Sequence, residues 1–172
     1  MMKISLSLVA GCLIISAYSC GQNPPKTTSP VSNEDTGKVV KSDAEWKALL
    51  DAETFHVTRE KGTEPAFTGK YNKHNEKGVY LCSNCGNELF RSEHKYDSGS
   101  GWPSFYTVAS PNKITEMKDK SSRWIRTELV CSRCDAHLGH VFNDGPQPTG
   151  RRFCVNSASL NFKAENPEKT EK

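Results

Sequence analysis

The chain has 172 residues, of which 35% are hydrophobic and 25% are charged, and its formal net charge is only +3. This length is typical of one domain with tails. Because lysine and arginine alternate with acidic residues instead of clustering, the charge pattern argues against a nucleic-acid partner. Glycine, proline and short polar runs favour short strands and loops over long helices.

The first 19 residues predict an export signal. Lys3 precedes an apolar run of about 15 residues, which is too short to span a membrane. Ala17 and Ser19 then precede Cys20, as in bacterial lipoprotein signals, in which the cysteine is lipidated and becomes the new N-terminus. An ordinary cleaved signal is the alternative. We expect a lipid on Cys20 to anchor an exported protein on the periplasmic or other extracytoplasmic side of a membrane.

Composition divides the rest of the chain into three parts. Residues 20–41 are rich in proline, serine, threonine and asparagine, which predicts a flexible tether after Cys20. The folded domain is predicted over residues 42–163. Residues 164–172 form a charged tail, which we expect to fray.

A short helix is predicted at the front of the domain, followed by strands. Ser42 and Glu45 match a capping box, and apolar residues at 46, 49 and 50 fall on one helical face. Short apolar-rich runs predict strands at residues 79–81, 88–91, 123–130, 141–142 and 152–156. The pattern therefore predicts a mainly β domain with small helices at its front.

Five cysteines remain outside the signal and Cys20, and four of them form two CxxC pairs: Cys82, Cys85, Cys131 and Cys134. Two such turns can complete a tetrahedral four-sulfur site, which favours one structural Zn²⁺. Two disulfides or a redox CxxC motif are the alternatives, but a thioredoxin-like motif requires a βαβ context that this sequence lacks.

Cys154 is the fifth cysteine and belongs to neither pair. A buried structural thiol is one reading. However, Arg151 and Arg152 precede it, and positive charge stabilises a thiolate and lowers its pKa. Because side chains two apart on a strand share a face, Arg152, Cys154 and Asn156 are expected to project together. The pattern therefore predicts a reactive thiol.

Two further segments indicate an active site around that thiol. His137 and His140 lie close together in the sequence, near Asp144 in an Asp-Gly turn. An imidazole can deliver a proton to a developing oxyanion, and a carboxylate can orient the imidazole. In SGSGWPSF, glycines and a proline hold Trp102 on a loop, where it is either core packing or the wall of a small apolar pocket.

These motifs occur in the order CxxC, SGSGWPSF, CxxC, HLGHVFNDGP and RRFCVNSASL, and this order resembles the B-type peptide methionine sulfoxide reductases. The resemblance covers residues 42 to 163 approximately. It implies two small antiparallel sheets in a barrel-like β domain, with short N-terminal helices and a zinc ion on the four CxxC cysteines. It also implies reduction of methionine-(R)-sulfoxide in oxidised proteins or peptides.

The resemblance also implies a role for each candidate residue. Cys154 would attack the sulfoxide sulfur and become a sulfenic acid. His137 and His140 would assist protonation of the oxygen, with Asp144 supporting the polar network. Arg152 would favour the thiolate, Asn156 would orient bound groups, and Trp102 would pack on the ε-methyl group of the substrate.

The sequence departs from this family pattern at Ser100, where many members carry a second, resolving cysteine. A serine cannot form the internal disulfide, so we expect an external thiol, such as a thioredoxin-like protein, to reduce the sulfenic acid. The alternative function is a non-catalytic zinc-binding interaction module in which Cys154 is merely buried.

Overall fold

The computed structural model describes residues 37–165, so the predicted signal, Cys20 and the end of the tail lie outside the described residues. Two helices come first, α1 (Asp43–Leu49) and α2 (Ala52–Arg59). The strands are β1 (Gly78–Cys82), β2 (Glu88–Arg91), β3 (Lys95–Tyr96), β4 (Ser104–Phe105), β5 (Ile114–Asp119), β6 (Arg126–Cys131), β7 (His137–Phe142), β8 (Arg152–Val155) and β9 (Leu160–Ala164). Within residues 37–165, no helix has the length and apolar character needed to cross a bilayer.

The predicted helix is present and ends earlier than its apolar pattern indicates. The capping box is confirmed, since the Ser42 backbone N–H donates to Glu45 Oε2 at 2.8 Å and the Ser42 hydroxyl accepts from the Glu45 N–H at 3.3 Å. Trp46 is buried, but Leu49 is 64% exposed. Asp51 interrupts the helix because its carboxylate accepts from the Thr54 N–H and caps α2, which the sequence analysis did not predict.

The strands form two antiparallel sheets, which confirms the predicted fold class. One sheet has three strands in the order β2-β1-β9, and the other has six in the order β3-β4-β8-β7-β6-β5. Both sheets are open, so residues 37–165 contain no closed barrel. β8 lies in the interior of the larger sheet, between β4 and β7.

Aromatic side chains from both sheets form the core. Phe90 of β2 stacks on Phe105 of β4, with ring centroids 4.2 Å apart. Tyr80 of β1 meets the same Phe105 ring edge-on at 5.1 Å. All three side chains are fully buried. Burial of this size contributes several kcal/mol and fixes the smaller sheet against the larger one.

Residues just outside the predicted 42–163 range also contact the domain. The Val39 N–H donates to the Arg133 carbonyl at 2.7 Å, and Arg133 Nε donates to the Gly37 carbonyl at 2.8 Å. At the other end, the Glu165 N–H donates to the Lys77 carbonyl at 3.0 Å. The last residues of the predicted tether therefore pack on the second CxxC turn.

Candidate active site

Strand register brings the candidate residues to one face of the six-stranded sheet. Cys154 of β8 lies opposite His140 of β7 on one side and Ser104 of β4 on the other. His140 in turn lies opposite Glu128 of β6. Because directly opposite residues share a face, these four side chains form a row across the sheet.

A bulge in β7 places the two histidines side by side. The pairing of β7 with β6 shifts between Leu129 and Val130, so Leu138 is an extra residue without a partner in the ladder. This extra residue puts His137 and His140 on the same face despite their spacing of three. Their ring centroids are 5.5 Å apart. The expected proximity therefore arises from a bulged strand instead of a turn.

Gly139 makes the bulge possible. Its φ of +152° lies outside the range that side-chain-bearing residues readily adopt. A Cβ atom at this position would also collide with the backbone carbonyl oxygen of Cys154 on the neighbouring strand. The glycine therefore sets the spacing between the strand that carries the histidines and the strand that carries the thiol.

A pocket of about 130 Å³ opens on this face. Its lining includes Trp102, Arg126, His140, Phe142, Cys154 and Asn156. Four of the predicted site residues therefore surround one cavity. The other three predicted residues, His137, Asp144 and Arg152, are not part of its wall.

Each histidine has a carboxylate partner that the sequence analysis did not identify. His140 Nε2 lies 2.8 Å from Asp119 Oδ2, and this oxygen also accepts from Arg126 Nη2 at 2.7 Å. His137 Nδ1 lies 2.8 Å from Glu128 Oε1. Glu128 is buried, and its other oxygen accepts from the Lys61 ammonium at 2.8 Å.

Both carboxylates are anionic at neutral pH. Although burial acts to raise the pKa of Glu128, hydrogen bonds from Lys61 and His137 hold it below its ordinary value. Hydrogen bonds from Ser121 first, and then from His140, hold the pKa of Asp119 well below its usual range. Burial lowers the pKa of His137, so its neutral form is favoured.

Asp144 pairs with Arg152, whereas the two histidines have other carboxylate partners. Arg152 Nε and Nη2 donate to the two Asp144 carboxylate oxygens, each at 2.9 Å. The Arg152 guanidinium also lies over the Phe142 ring, 4.4 Å from its centroid. Asp144 therefore orients the arginine next to the thiol.

Burial affects the pKa of the Cys154 thiol more than the neighbouring positive charge does. Desolvation raises the pKa of this thiol, and hydrogen bonding from Ser100 and the charge of Arg152 offset that effect only in part. The predicted net lowering of the pKa is therefore wrong, although Arg152 acts in the predicted direction. Arg151 makes other contacts: it donates to Glu116 Oε2 at 2.7 Å, and its guanidinium lies 4.7 Å from the Phe153 centroid.

Three hydroxyls extend from the thiol. Ser100 Oγ lies 3.7 Å from Cys154 Sγ and 2.8 Å from Ser98 Oγ. Ser98 Oγ lies 2.7 Å from the hydroxyl of Ser104, a fully buried residue of β4. The side chain at position 100 therefore faces the sulfur from the loop.

Glu64 organises one wall of the pocket, and no sequence signal marked it. Its carboxylate accepts the backbone N–H groups of Ser157 and Ala158 at 2.7 and 2.9 Å. Its carbonyl accepts from Trp102 Nε1 at 3.1 Å, and its N–H donates to Asn156 Oδ1 at 3.2 Å. The Asn156 amide also donates to the Leu138 carbonyl at 3.1 Å, so the protein itself uses both ends of this amide.

The four CxxC cysteines meet at the ends of β1 and β6. Their sulfur atoms all lie within 4.8 Å of one another, and the two closest pairs, Cys82–Cys134 and Cys85–Cys131, are 3.6 Å apart. Tetrahedral zinc with Zn–S bonds of about 2.3 Å requires sulfur separations of about 3.8 Å. Asn87 Nδ2 lies 3.5 Å from Cys131 Sγ, within reach to stabilise a thiolate. The donor set therefore fits a metal ion of the zinc type.

Comparisons with known proteins agree with this site. The SelR domain matches residues 50–164. A peptide methionine sulfoxide reductase MsrB of Hahella chejuensis is 62% identical over 125 residues, which cover 73% of this chain and 90% of that protein. Two proteins of the same name are also similar. The one from Herminiimonas arsenicoxydans is 55% identical, over 75% of this chain and 94% of that protein. The one from Acinetobacter baylyi is 56% identical, over 78% of this chain and 98% of that protein. The chain therefore belongs to the B-type peptide methionine sulfoxide reductases and is an enzyme that reduces methionine sulfoxide.

Proposed function

We propose that the chain reduces protein-bound methionine-(R)-sulfoxide with Cys154 as the nucleophile. One observation carries this proposal: Cys154 is the one described cysteine outside the four-sulfur cluster, and it lines the pocket with Trp102 and His140. Since a water molecule occupies about 30 Å³ of liquid, the pocket is large enough for the end of one methionine sulfoxide side chain.

The first step has the net effect of transferring one oxygen atom and two electrons. The Cys154 thiolate attacks the sulfoxide sulfur and forms an S–S bond, while the sulfoxide oxygen takes up two protons and leaves as water. A water molecule then attacks the Cys154 sulfur, the S–S bond breaks, and its electron pair leaves with the methionine sulfur. Cys154 is thereby oxidised to a sulfenic acid, one proton is released, and methionine leaves reduced. His140, held by Asp119 and directly opposite Cys154, is the proton donor of this step, and His137 orders the site behind it.

The pocket has the asymmetry needed to select one sulfoxide epimer. Trp102 forms an apolar wall, and its indole is fixed by the hydrogen bond to the Glu64 carbonyl. Polar groups, namely His140 and Arg126, line the same pocket. With the methyl group on the indole and the oxygen on the polar groups, only one configuration presents the sulfur to Cys154. Assays with separated epimers test this selection, and equal rates for both would contradict it.

Regeneration requires a thiol from another molecule. Ser100 faces Cys154 where a resolving cysteine would stand, and a hydroxyl cannot form a disulfide. A thiol partner attacks the sulfenic acid sulfur, water leaves, and a second thiol then reduces the mixed disulfide. Ser100, whose hydroxyl faces the sulfur, also lines a second cavity of about 500 Å³, where such a partner would approach.

Mass spectrometry after a single turnover without reductant tests both steps. We expect one added oxygen on the peptide that contains Cys154 and no internal disulfide. An internal disulfide that involves Cys154 would contradict the external-reductant step. Cys154→Ser should abolish reduction of the sulfoxide while metal content and fold persist. If the substitution left the rate of reduction unchanged, Cys154 would not be the nucleophile.

We also propose that the four-sulfur cluster holds one structural Zn²⁺ and that Cys20 carries a lipid anchor. Zinc there stabilises the fold and takes no part in the oxygen transfer. The anchor would hold the exported domain at the extracytoplasmic side of a membrane. Incorporation of labelled palmitate, with Cys20→Ser as control, tests the anchor. Equal labelling of both proteins would contradict it.

A further inference from the structure

The turn between β5 and β6 exposes large apolar side chains. Trp124 is 74% exposed and Ile125 is 67% exposed. Met117, on β5 of the same hairpin, is 48% exposed. Adjacent exposed apolar groups of this size are typical of binding surfaces, and tryptophan is among the residues that contribute most to binding energy.

This turn is continuous with the pocket around Cys154. Asp119 and Arg126 close the hairpin through their ion pair at 2.7 Å. Asp119 holds His140, and Arg126 itself lines the pocket, immediately after Trp124 and Ile125 in the chain. The exposed turn therefore begins at the edge of the cavity.

The turn is also cationic. Lys118, Lys120 and Arg123 are exposed, and none of them forms an ion pair with another residue of the 37–165 segment. The neighbouring carboxylates are neutralised, since Asp119 pairs with Arg126 and Glu116 pairs with Arg151. The surface formed by residues 120 and 123–125, the hairpin surface, therefore combines apolar groups with free positive charge.

We propose that the hairpin surface binds the polypeptide that flanks the oxidised methionine and prefers segments with apolar and acidic residues. The inference rests on the proposed placement of the sulfoxide in the pocket. A protein-bound methionine sulfoxide enters with chain on both sides, and extended chain advances about 3.3 Å per residue. Residues one to three positions from the methionine therefore reach the hairpin surface, where Trp124 and Ile125 contact apolar side chains and the cations contact carboxylates.

Kinetics with two substrates test the proposal. One substrate is N-acetylmethionine-(R)-sulfoxide, which fills the pocket alone, and the other is a peptide with methionine-(R)-sulfoxide among acidic and leucine residues. For the double variants Trp124→Ala/Ile125→Ala and Lys120→Glu/Arg123→Glu, kcat/KM on the peptide should fall about tenfold through KM. Both variants should reduce the small substrate as the wild type does.

Matched substitutions elsewhere control for general effects. Leu49→Ala removes an apolar side chain of similar exposure from α1, and Lys163→Glu reverses an exposed charge on β9. Neither should change kcat/KM on either substrate. Added salt should reduce the preference of the wild type for the acidic peptide over a lysine-containing one.

Three outcomes would overturn the proposal. Unchanged peptide kinetics in both double variants, with small-substrate activity retained, would refute the docking surface alone. Equal losses on both substrates would show that the hairpin supports the pocket instead. If the double variants lost binding to phosphatidylglycerol vesicles but kept wild-type kinetics on the peptide, the hairpin surface would be a membrane-binding surface instead. By contrast, a wild type inactive on both substrates would refute the proposed function itself.

Discussion

At Cys154, burial and a neighbouring charge act on the same thiol in opposite directions. The sulfur lies deep enough for desolvation to raise its pKa, while Ser100 and Arg152 lower it in part. A thiol is the less reactive form. The Cys154 thiol is therefore mainly protonated at neutral pH, and Arg152 favours the thiolate without reversing this balance.

The first prediction concerns the pH dependence of alkylation at Cys154. Because the thiolate reacts and its fraction grows as pH rises through the pKa, iodoacetamide labelling should accelerate above neutral pH. Arg152→Gln removes the charge that favours the thiolate, so its midpoint should move to higher pH and its rate at pH 7 should fall several-fold. Mass spectrometry of the Cys154 peptide separates this signal from the other cysteines.

Asp144→Asn is the matched control for that substitution. It removes the carboxylate that orients Arg152 but keeps the guanidinium charge. The labelling midpoint should therefore not move upward. A lower midpoint in Arg152→Gln would show that the arginine does not act on the thiol as described.

The candidate residues were predictable one by one, but their partners were not. The motifs alone identified Cys154, the two histidines and Trp102. Asp119 and Glu128 come from β5 and β6, and strand register, which the sequence does not display, brings them to the imidazoles. The pairing of Asp144 with Arg152 likewise depends on how the chain folds between residues 144 and 152.

At the scale of elements, the bulge in β7 places His137 and His140 on the same face of the sheet. A regular strand would turn His137 and His140 to opposite faces. One extra residue, Leu138, returns them to the same face, and Gly139 gives β7 and β8 room to approach. The apolar-and-histidine pattern HLGHVF predicted a strand only near its end, because the bulge breaks the period of two.

The second prediction is that Gly139→Ala lowers the free energy of unfolding by about 2–4 kcal/mol. The new Cβ meets the carbonyl oxygen of Cys154, so β7 and β8 must separate or the backbone must distort. Activity should fall as well, because His140 moves relative to the sulfur. Urea unfolding and the rate on N-acetylmethionine-(R)-sulfoxide measure the two effects.

Gly150→Ala separates backbone strain from collision. Gly150 also has a positive φ, +67°, but a Cβ there would have no atom within 4 Å. Gly150→Ala should lower the free energy of unfolding by about 1 kcal/mol and leave the activity unchanged. If both variants lost equal stability, the close approach of the strands would not be the cause.

Two elements, β5 and α2, were not predicted from the sequence, each for a physical reason. β5 is an edge strand with mostly exposed side chains, so it lacks an apolar face that would mark it. α2 follows α1 after two residues, and its start depends on the Asp51 cap. In contrast, β1 and β2 around the first CxxC turn were predicted to within one residue at each end, because each combines apolar residues with a turn signal. Around the second CxxC turn, the strand predicted over residues 123–130 begins only at Arg126.

For the whole molecule, the four-sulfur cluster ties the two sheets together. One cysteine pair follows β1 of the smaller sheet, and the other follows β6 of the larger sheet. The aromatic core joins the same two sheets from inside. A metal ion at the cluster would therefore stabilise the arrangement of the sheets more than the structure of either one.

The third prediction is that Cys82→Ser releases the metal and lowers the free energy of unfolding by at least about 3 kcal/mol. A structural metal binds the folded chain and not the unfolded one, so its binding free energy adds to the free energy of unfolding. Elemental analysis of the purified chain should give one zinc per wild-type molecule and less than one for the variant. Thermal unfolding with and without a chelator measures the stability.

Ser132→Ala is the control within the second CxxC turn. It keeps all four thiols, and it leaves intact the hydrogen bond from the Ser132 backbone N–H to the Lys113 carbonyl. Metal content and stability should match the wild type. A chelator that left the melting temperature of the wild type unchanged would contradict a stabilising metal.

The position of Cys154 on an interior strand has a consequence for hydrogen exchange. β8 is bonded on both sides, by β4 and β7, so its amides open only when the sheet itself opens. The loop that carries Ser100 contains glycines at φ +73° and +93° and faces the sulfur from outside the ladder. Oxidation of the thiol should therefore change amide exchange in residues 98–101 while β8 stays protected, so that Cys154 remains fixed while the loop beside it adjusts.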